Sequence, residues 1–455
     1  MMHLGKGQIE SFLTGRLDGV ERKRLLQHLT DCSPCRRRLR VAAEILLGDE
    51  PWMAAEPVAE DRYEEALARS IGSARSLEKR WQKERAKLER ALTLLDQASG
   101  GLGDESFPWR QAQALHGWPL CEALLRKSYE ARFTDPKRML SLAESAAGVA
   151  KHIKVEKYPW PGFVADLRAR TFAELGNAYR VNERFLEADA AFEQSIEFLE
   201  AGTGDSLLQA RVLDLFASLR SAQRRLDDAI ALLDQVYDLY LEAGDLHLAG
   251  RALISKGSNT LYQGYPNEAV RLLEKGLQML DSRKDQPLET LTRLNIIDAL
   301  ANAGRHHEAS RQLLQSGLRE KLADAPLILV KLRWVEGKIH AGLGRPEKAE
   351  RAFVEVRREY LRLDQVYDAA VAGLELAAVW LRLGRPAHVR ELAEEMYQTF
   401  VEVGMQPEAA RALYFVREAC LVQAVTVAMI ERVRQFLERL PWHPGLRFEP
   451  ALFAP

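Results

Sequence analysis

One position in this chain recurs at a nearly fixed interval, and that regularity constrains the fold more than any other feature of its 455 residues. Ala188, Ala229, Ala269, Ala309, Ala349 and Val389 are separated by 41, 40, 40, 40 and 40 residues. Around each lies the same pattern. A helical stretch carries a small residue near its middle, a turn reads Gly-Arg-Pro or similar, and a second helical stretch opens on an acidic residue and Ala. A fixed period in this range means a solenoid, because one unit cannot bury its apolar face alone and stacked neighbours make the core. The expected fold is all-α, an α-solenoid of helix-turn-helix units.

The units resemble the tetratricopeptide repeat. In the best copy Phe172, Leu175, Gly176, Tyr179, Ala188, Phe192 and Ser195 occupy that family's large, Leu-Gly, Tyr, Ala, Phe and small positions in order. The small first-helix residue returns as Ala217, Gly257, Gly337 and Ala377, with Ile297 the exception. The facing second-helix residue is Leu233, Leu273, Leu313, Phe353 and finally Ala393. Gly304, Gly344 and Gly384 share a turn position where a positive φ is expected. The period exceeds the family's usual length of about 34. A degenerate copy is expected over 118–131 and 136–150, and a capping hairpin over 407–438. The array then spans 101–440, followed by a tail at 441–455.

In that family, set positions of each first helix line a concave groove. Carried over, the resemblance implies a basic column of Arg170, Arg211 and Arg251, continued by Lys331, with Asn177 and further polar residues beside it. Fifth positions Leu294, Trp334 and Leu374 add apolar character. The implied partner is an acidic, partly apolar peptide or helix, held by the arginines and anchored near Trp334. The alternative is that the arginines are solvated and Trp334 is core. Binding is also the general property of such a fold, which says little about which partner is bound.

The N-terminal 45 residues carry a second signal, His28-x3-Cys32-x2-Cys35. A short three-helix module would place His28 at the end of one helix and both cysteines at the start of the next. Thiolate and imidazole are the ligands Zn²⁺ prefers, and a closed structural site needs four, with His3 as the candidate fourth. The segment resembles the zinc-binding anti-sigma-factor domain through His3, Phe12-Leu13-Thr14-Gly15, Leu17-Asp18-Gly19, His28, Cys32 and Cys35. That resemblance implies a module that sequesters a sigma factor or similar target, with the solenoid docking a second protein. A general scaffold in which zinc is purely structural is the alternative, and a thiol switch at Cys32 and Cys35 is a further one.

Residues 46–60 carry two prolines and read as a linker, and 61–97 as a charged amphipathic helix, either a coiled-coil strand or a helix packing on the next domain. Lys and Arg number 64 against 65 Asp and Glu, so net charge points to neither nucleic acid nor membrane. The basic run Arg36-Arg37-Arg38-x-Arg40 has no stacking platform beside it. The opening residues lack a signal-peptide core, and the longest apolar run, 421–430, is too short to span a bilayer. A cytoplasmic location is expected. There is no Gly-rich phosphate loop, GxSxG or HExxH, and the expectation is that the chain is no enzyme.

Overall fold

The computed structural model describes residues 6–13, single positions between 17 and 39, 60–97 (side chains from 78), 114–158, 161–403, 407–442 and 445–450. His3, Arg36, Arg37, Arg38, Arg40 and the segment 46–59 lie outside the described residues. The chain divides into two compact units, 1–83 and 84–455.

In the first unit, helix α1 spans Lys6–Leu13. Helical positions follow at 20–21, 24–25 and 28–29, and again at 35 and 39, on either side of Cys32. Leu25, Leu29, Cys32 and Cys35 form its small core, against which Phe12, Leu17 and Leu39 pack.

The division falls within helix α2, Glu60–Gln97. In the second unit its last turns behave as a single amphipathic helix: Leu88, Ala91 and Leu95 pack with Leu120, Leu124 and Leu125. Those three belong to α3 (Trp118–Ala131), which pairs with α4 (Pro136–Lys151) as the degenerate first unit. Six full hairpins follow. They are α5 (Pro161–Val181) with α6 (Phe185–Glu200), α7 (Ser206–Ala222) with α8 (Leu226–Glu242), α9 (Leu246–Tyr262) with α10 (Pro266–Met279), α11 (Gln286–Asn302) with α12 (His306–Ser316) and the one-turn α13 (Leu318–Lys321), α14 (Pro326–Gly342) with α15 (Pro346–Arg362), and α16 (Val366–Arg382) with α17 (Pro386–Val403). First helices from α7 to α16 begin at 206, 246, 286, 326 and 366, steps of 40 without slippage.

The register has local causes. Asp205, Asp245 and Asp285, also 40 apart, cap the first helices by accepting hydrogen bonds from Leu207, Leu248 and Leu288 amides at 2.9, 3.0 and 3.2 Å. Such a cap satisfies an amide that the helix itself leaves unpaired. Between paired helices, Gly264, Gly304, Gly344 and Gly384 adopt φ of 89°, 76°, 67° and 69°. Within each hairpin small faces large. A Cβ on Gly176, Gly257 or Gly337 would meet Phe192, Leu273 or Phe353 at 2.7, 2.8 or 2.6 Å.

The unit with Ile297 at the small position departs from the others. Its second helix stops at Ser316, Gly317 turns left-handed at φ 59°, and Leu318 rather than Leu314 enters the core. The closing hairpin, α18 (Pro407–Leu421) and α19 (Val427–Arg439), is atypical in another way: α19 folds back on α16, and Ile430, Val433, Phe436 and Leu437 join the core of the last repeat. Residues 446–448 lie against this cap, with the Phe448 amide donating to Glu408 Oε2 at 2.8 Å.

Candidate functional site

First helices touch one another along most of the stack and so share one face. Toward its C-terminal end this face encloses a cavity of about 1390 Å³ between the α9–α10 turn, α11, α14, α16 and α19. Its floor holds a chain of charges. Lys338 Nζ lies 3.3 Å from Asp298 Oδ1 and 3.1 Å from Asn302 Oδ1. On α19, Arg434 reaches Glu375 at 3.3 Å and Glu438 at 2.6 Å. Burial alone would raise the Asp298 carboxyl, but Lys338 and Lys331, with hydrogen bonds from Lys338 and Asn302, hold it below the usual range. Burial would likewise lower Lys338, and Asp298, Glu438 and Glu375 reverse this and raise it. Glu375 is held above the ordinary carboxylate value by burial, which Arg434 and Lys338 only partly offset.

Aromatic rings form one wall. Trp334 stands edge-on to Tyr360, ring centres 5.7 Å apart, with Lys338 Nζ 5.0 Å from the indole centre. The indole Nε1 of Trp334 and the Nε of Arg434 are buried with no hydrogen-bond partner. Each is a donor only, and leaving it unpaired is costly unless a ligand or water supplies an acceptor.

The residues singled out in the sequence divide between two places. Lys331 and Trp334 line the cavity, with Lys331 Nζ 2.9 Å from Asn295 Oδ1. The arginine column occupies the other half of the stack, and its charges are met within the chain. Arg170 bonds Glu122 at 2.8 Å, Arg211 Nε bonds Glu174 at 3.0 Å, and Arg251 bonds Asp285 at 2.9 Å. Asn177 is buried and accepts from Arg180 at 2.8 Å. Leu294 and Leu374 are fully buried core residues, so Trp334 is the only one of those three fifth positions on the cavity wall. His306 rests its ring on Gly342 at the cavity rim.

The sequence reading missed Tyr360, Tyr367, Asp368, Glu375 and Arg434. A signal existed for Glu375, a lone acid in the otherwise apolar stretch from Ala369 to Val379. Arg434 carried none, because its place in the groove depends on α19 folding back.

In the first unit, His28, Cys32 and Cys35 bring their ligand atoms within 4.8 Å of one another. Cys35 is fully buried, and His28 Nε2 is buried with no hydrogen-bond partner. An imidazole nitrogen and two thiol sulfurs converging in a small core are the donor set that zinc takes. The other thiols differ: burial pushes Cys121 up to about 12 and Cys420 up to about 11, so both stay protonated and unreactive. Among the described residues no helix is long and apolar enough to cross a membrane.

Comparison with known proteins bears on the repeats. No curated protein sequence matches the chain. A Rap protein complexed with Competence and Sporulation Factor superposes with TM-score 0.48 and 11% identity, over 70% of this chain and 87% of that one. NprR in complex with its cognate peptide NprX gives 0.48 and 14%, over 66% and 83%. Aspartyl phosphate phosphatase F from Bacillus subtilis gives 0.44 and 15%, over 99% and 98%. The tetratricopeptide repeat family profile matches residues 167–242. Residues 167–242 are therefore tetratricopeptide repeats, and hairpins of the same 40-residue spacing continue after them.

Proposed function

We propose that this chain is a cytoplasmic, protein-binding regulator whose solenoid groove holds a peptide or helix of a partner. The observation that carries this reading is the cavity between α11, α14, α16 and α19. It is large enough for several residues of a ligand, it has an aromatic wall, and it presents the unpaired donors of Trp334 and Arg434. Concave, mostly preformed clefts with a few convergent polar groups are where ligands bind. The internal pairing of Arg170, Arg211 and Arg251 moves the proposed contact surface from that column to the C-terminal half, and Trp334 stays as its anchor.

The N-terminal module is the second contact. His28, Cys32 and Cys35 would hold a structural zinc, with His3 completing the set, and the metal would supply much of the folding energy of so small a core. From its resemblance, the module sequesters a sigma factor or similar target. The test is affinity purification with full-length protein, followed by titration of each captured partner against Trp334→Ala and Cys35→Ser. The groove partner should weaken at least tenfold with Trp334→Ala only, and the module partner with Cys35→Ser only. A groove partner indifferent to Trp334→Ala refutes the first assignment. Metal analysis well under one zinc per chain refutes the second, and metal without a sigma-type partner leaves a scaffold with structural zinc.

A further inference from the structure

Among the described residues five carboxylates line the groove, and four of them are matched by a cation. Asp298 has Lys338, Glu375 and Glu438 share Arg434, and Glu431 has Arg382. The fifth, Asp368, has no ion pair or hydrogen bond among the described residues, and burial alone acts on it, raising its carboxyl. It sits in the first turn of α16, whose positive end offsets part of that cost. Two phenols stand near it, Tyr360 and Tyr367, and Asp368 is among the groups that raise both. Tyr367 donates its hydroxyl to the Leu437 carbonyl, which fixes that ring between α16 and α19. Tyr360 packs edge-on against Trp334. A desolvated carboxylate beside aromatic rings is the arrangement that recognises an ammonium or guanidinium group.

We propose that this corner of the groove is a subsite for a cationic side chain, an arginine or lysine of the bound segment. Its charge meets Asp368 while its stem lies against Tyr360 and Tyr367. The inference rests on the groove being the ligand site. The buried indole N–H of Trp334, across Tyr360, needs an acceptor as Asp368 needs a cation. A peptide supplies both, with a backbone carbonyl near its basic side chain, whereas a simple polyamine supplies only the second. The ligand is therefore basic at this point, in contrast to the acidic partner that the arginine column implied. Arg439, exposed at the mouth, forms no ion pair with Asp368, so the carboxylate is not neutralised from within.

The test uses random twelve-residue peptides displayed on phage, panned on the full chain and on Asp368→Asn. Selected peptides are then synthesised and titrated against the wild type, Asp368→Asn, Trp334→Ala and Arg439→Ala, each first checked for native helical signal. Wild-type selections should share an arginine or lysine. Replacing it by citrulline or norleucine should weaken binding tenfold or more in the wild type and in Arg439→Ala, and not in Asp368→Asn. Peptides that lack a basic residue, or keep their preference in Asp368→Asn, while losing affinity in Trp334→Ala, overturn the subsite and leave the groove reading intact. Loss of the preference in Arg439→Ala also overturns it. Peptides indifferent to Trp334→Ala, or no selected peptide at all, overturn the groove reading and the subsite with it.

Discussion

Replacing Gly337 with Ala sets two opposing terms against each other at one atom. Gly337 lies inside α14, where Ala is intrinsically better than Gly by about 0.8–1 kcal/mol. The added Cβ, however, would lie 2.6 Å from Cε1 and 2.9 Å from Cδ1 of Phe353, whose ring is fully buried. No real Cβ contact is that short, and a ring enclosed on all sides cannot swing away, so α14 and α15 must separate. Overpacking of this kind costs about 1–3 kcal/mol. Packing wins, and subtracting the propensity gain leaves an expected net loss of up to roughly 2 kcal/mol. At about 2 °C per kcal/mol for a unit of this size, the melting point should fall by a few degrees. Thermal unfolding followed by helical circular dichroism measures it. Gly148→Ala is the internal control: nothing lies within 4 Å of its Cβ, so propensity acts alone and the melting point should rise. Adding Phe353→Leu to Gly337→Ala recreates the natural Ala217–Leu233 pair, which packs in one core cluster. The double variant should then be more stable than the sum of the two single changes predicts. If Gly337→Ala stabilises as Gly148→Ala does, the helix pair is not set by this contact and the reasoning fails.

Glu183 holds φ 59° where later units place Gly, so Glu183→Gly should stabilise by up to about 1 kcal/mol, read as a higher melting point with unchanged helical signal. Asp298→Ala strands Lys338 in the groove without its nearest counter-ion and should cost about 3 kcal/mol, most of which Lys338→Met in addition should restore; an uncompensated loss in the double variant would show that the pair is not the cause. Asp368 gives a pH signature. Its carboxyl is raised above the ordinary 3.8 in the folded chain, so the folded state binds its proton more tightly than the unfolded one. The ionised form therefore penalises folding at neutral pH, and the penalty shrinks as pH falls through the folded value and is gone below the unfolded one. Asp368→Asn should raise the melting point at pH 7 and lose that advantage toward pH 4; a constant difference would place the carboxylate in solvent.

Much of the fold was legible because each unit repeats the same solution. A period of 40, a small residue facing a large one and a turn glycine together constrain which helices pair, and the observed hairpins follow them, including the degenerate copy at 118–151. The deviations come where a residue breaks the rule: Ile297 occupies the small position, and its unit has the shortened second helix. The groove was less legible because its chemistry combines residues from different units. Trp334 and Lys331 were visible from their place in the repeat. Tyr360 comes from a second helix and Arg434 from a cap whose direction no repeat position dictates. In the N-terminal module, spacing alone brought His28, Cys32 and Cys35 to attention, since an HxxxCxxC string across a helix end leaves few ways to separate them.

The charges of the two halves of the stack have different consequences. In the first half, Arg170, Arg211 and Arg251 each bind an acid of an adjacent unit, and two of the three are nearly half exposed. Exposed pairs of this kind add little to stability, about 0–1 kcal/mol each. Their repetition at steps of 41 and 40 residues does something else: it neutralises the face, leaving it little net field with which to attract a charged ligand. In the second half the groove charges Asp298, Lys338, Glu375 and Arg434 are largely buried, the Glu431–Arg382 pair being the exposed exception, so a mismatch among them is expensive and a match is specific. Four acids there are matched and Asp368 is not. The salt dependence of ligand binding should therefore follow Asp368 and change little when the exterior arginine pairs are removed.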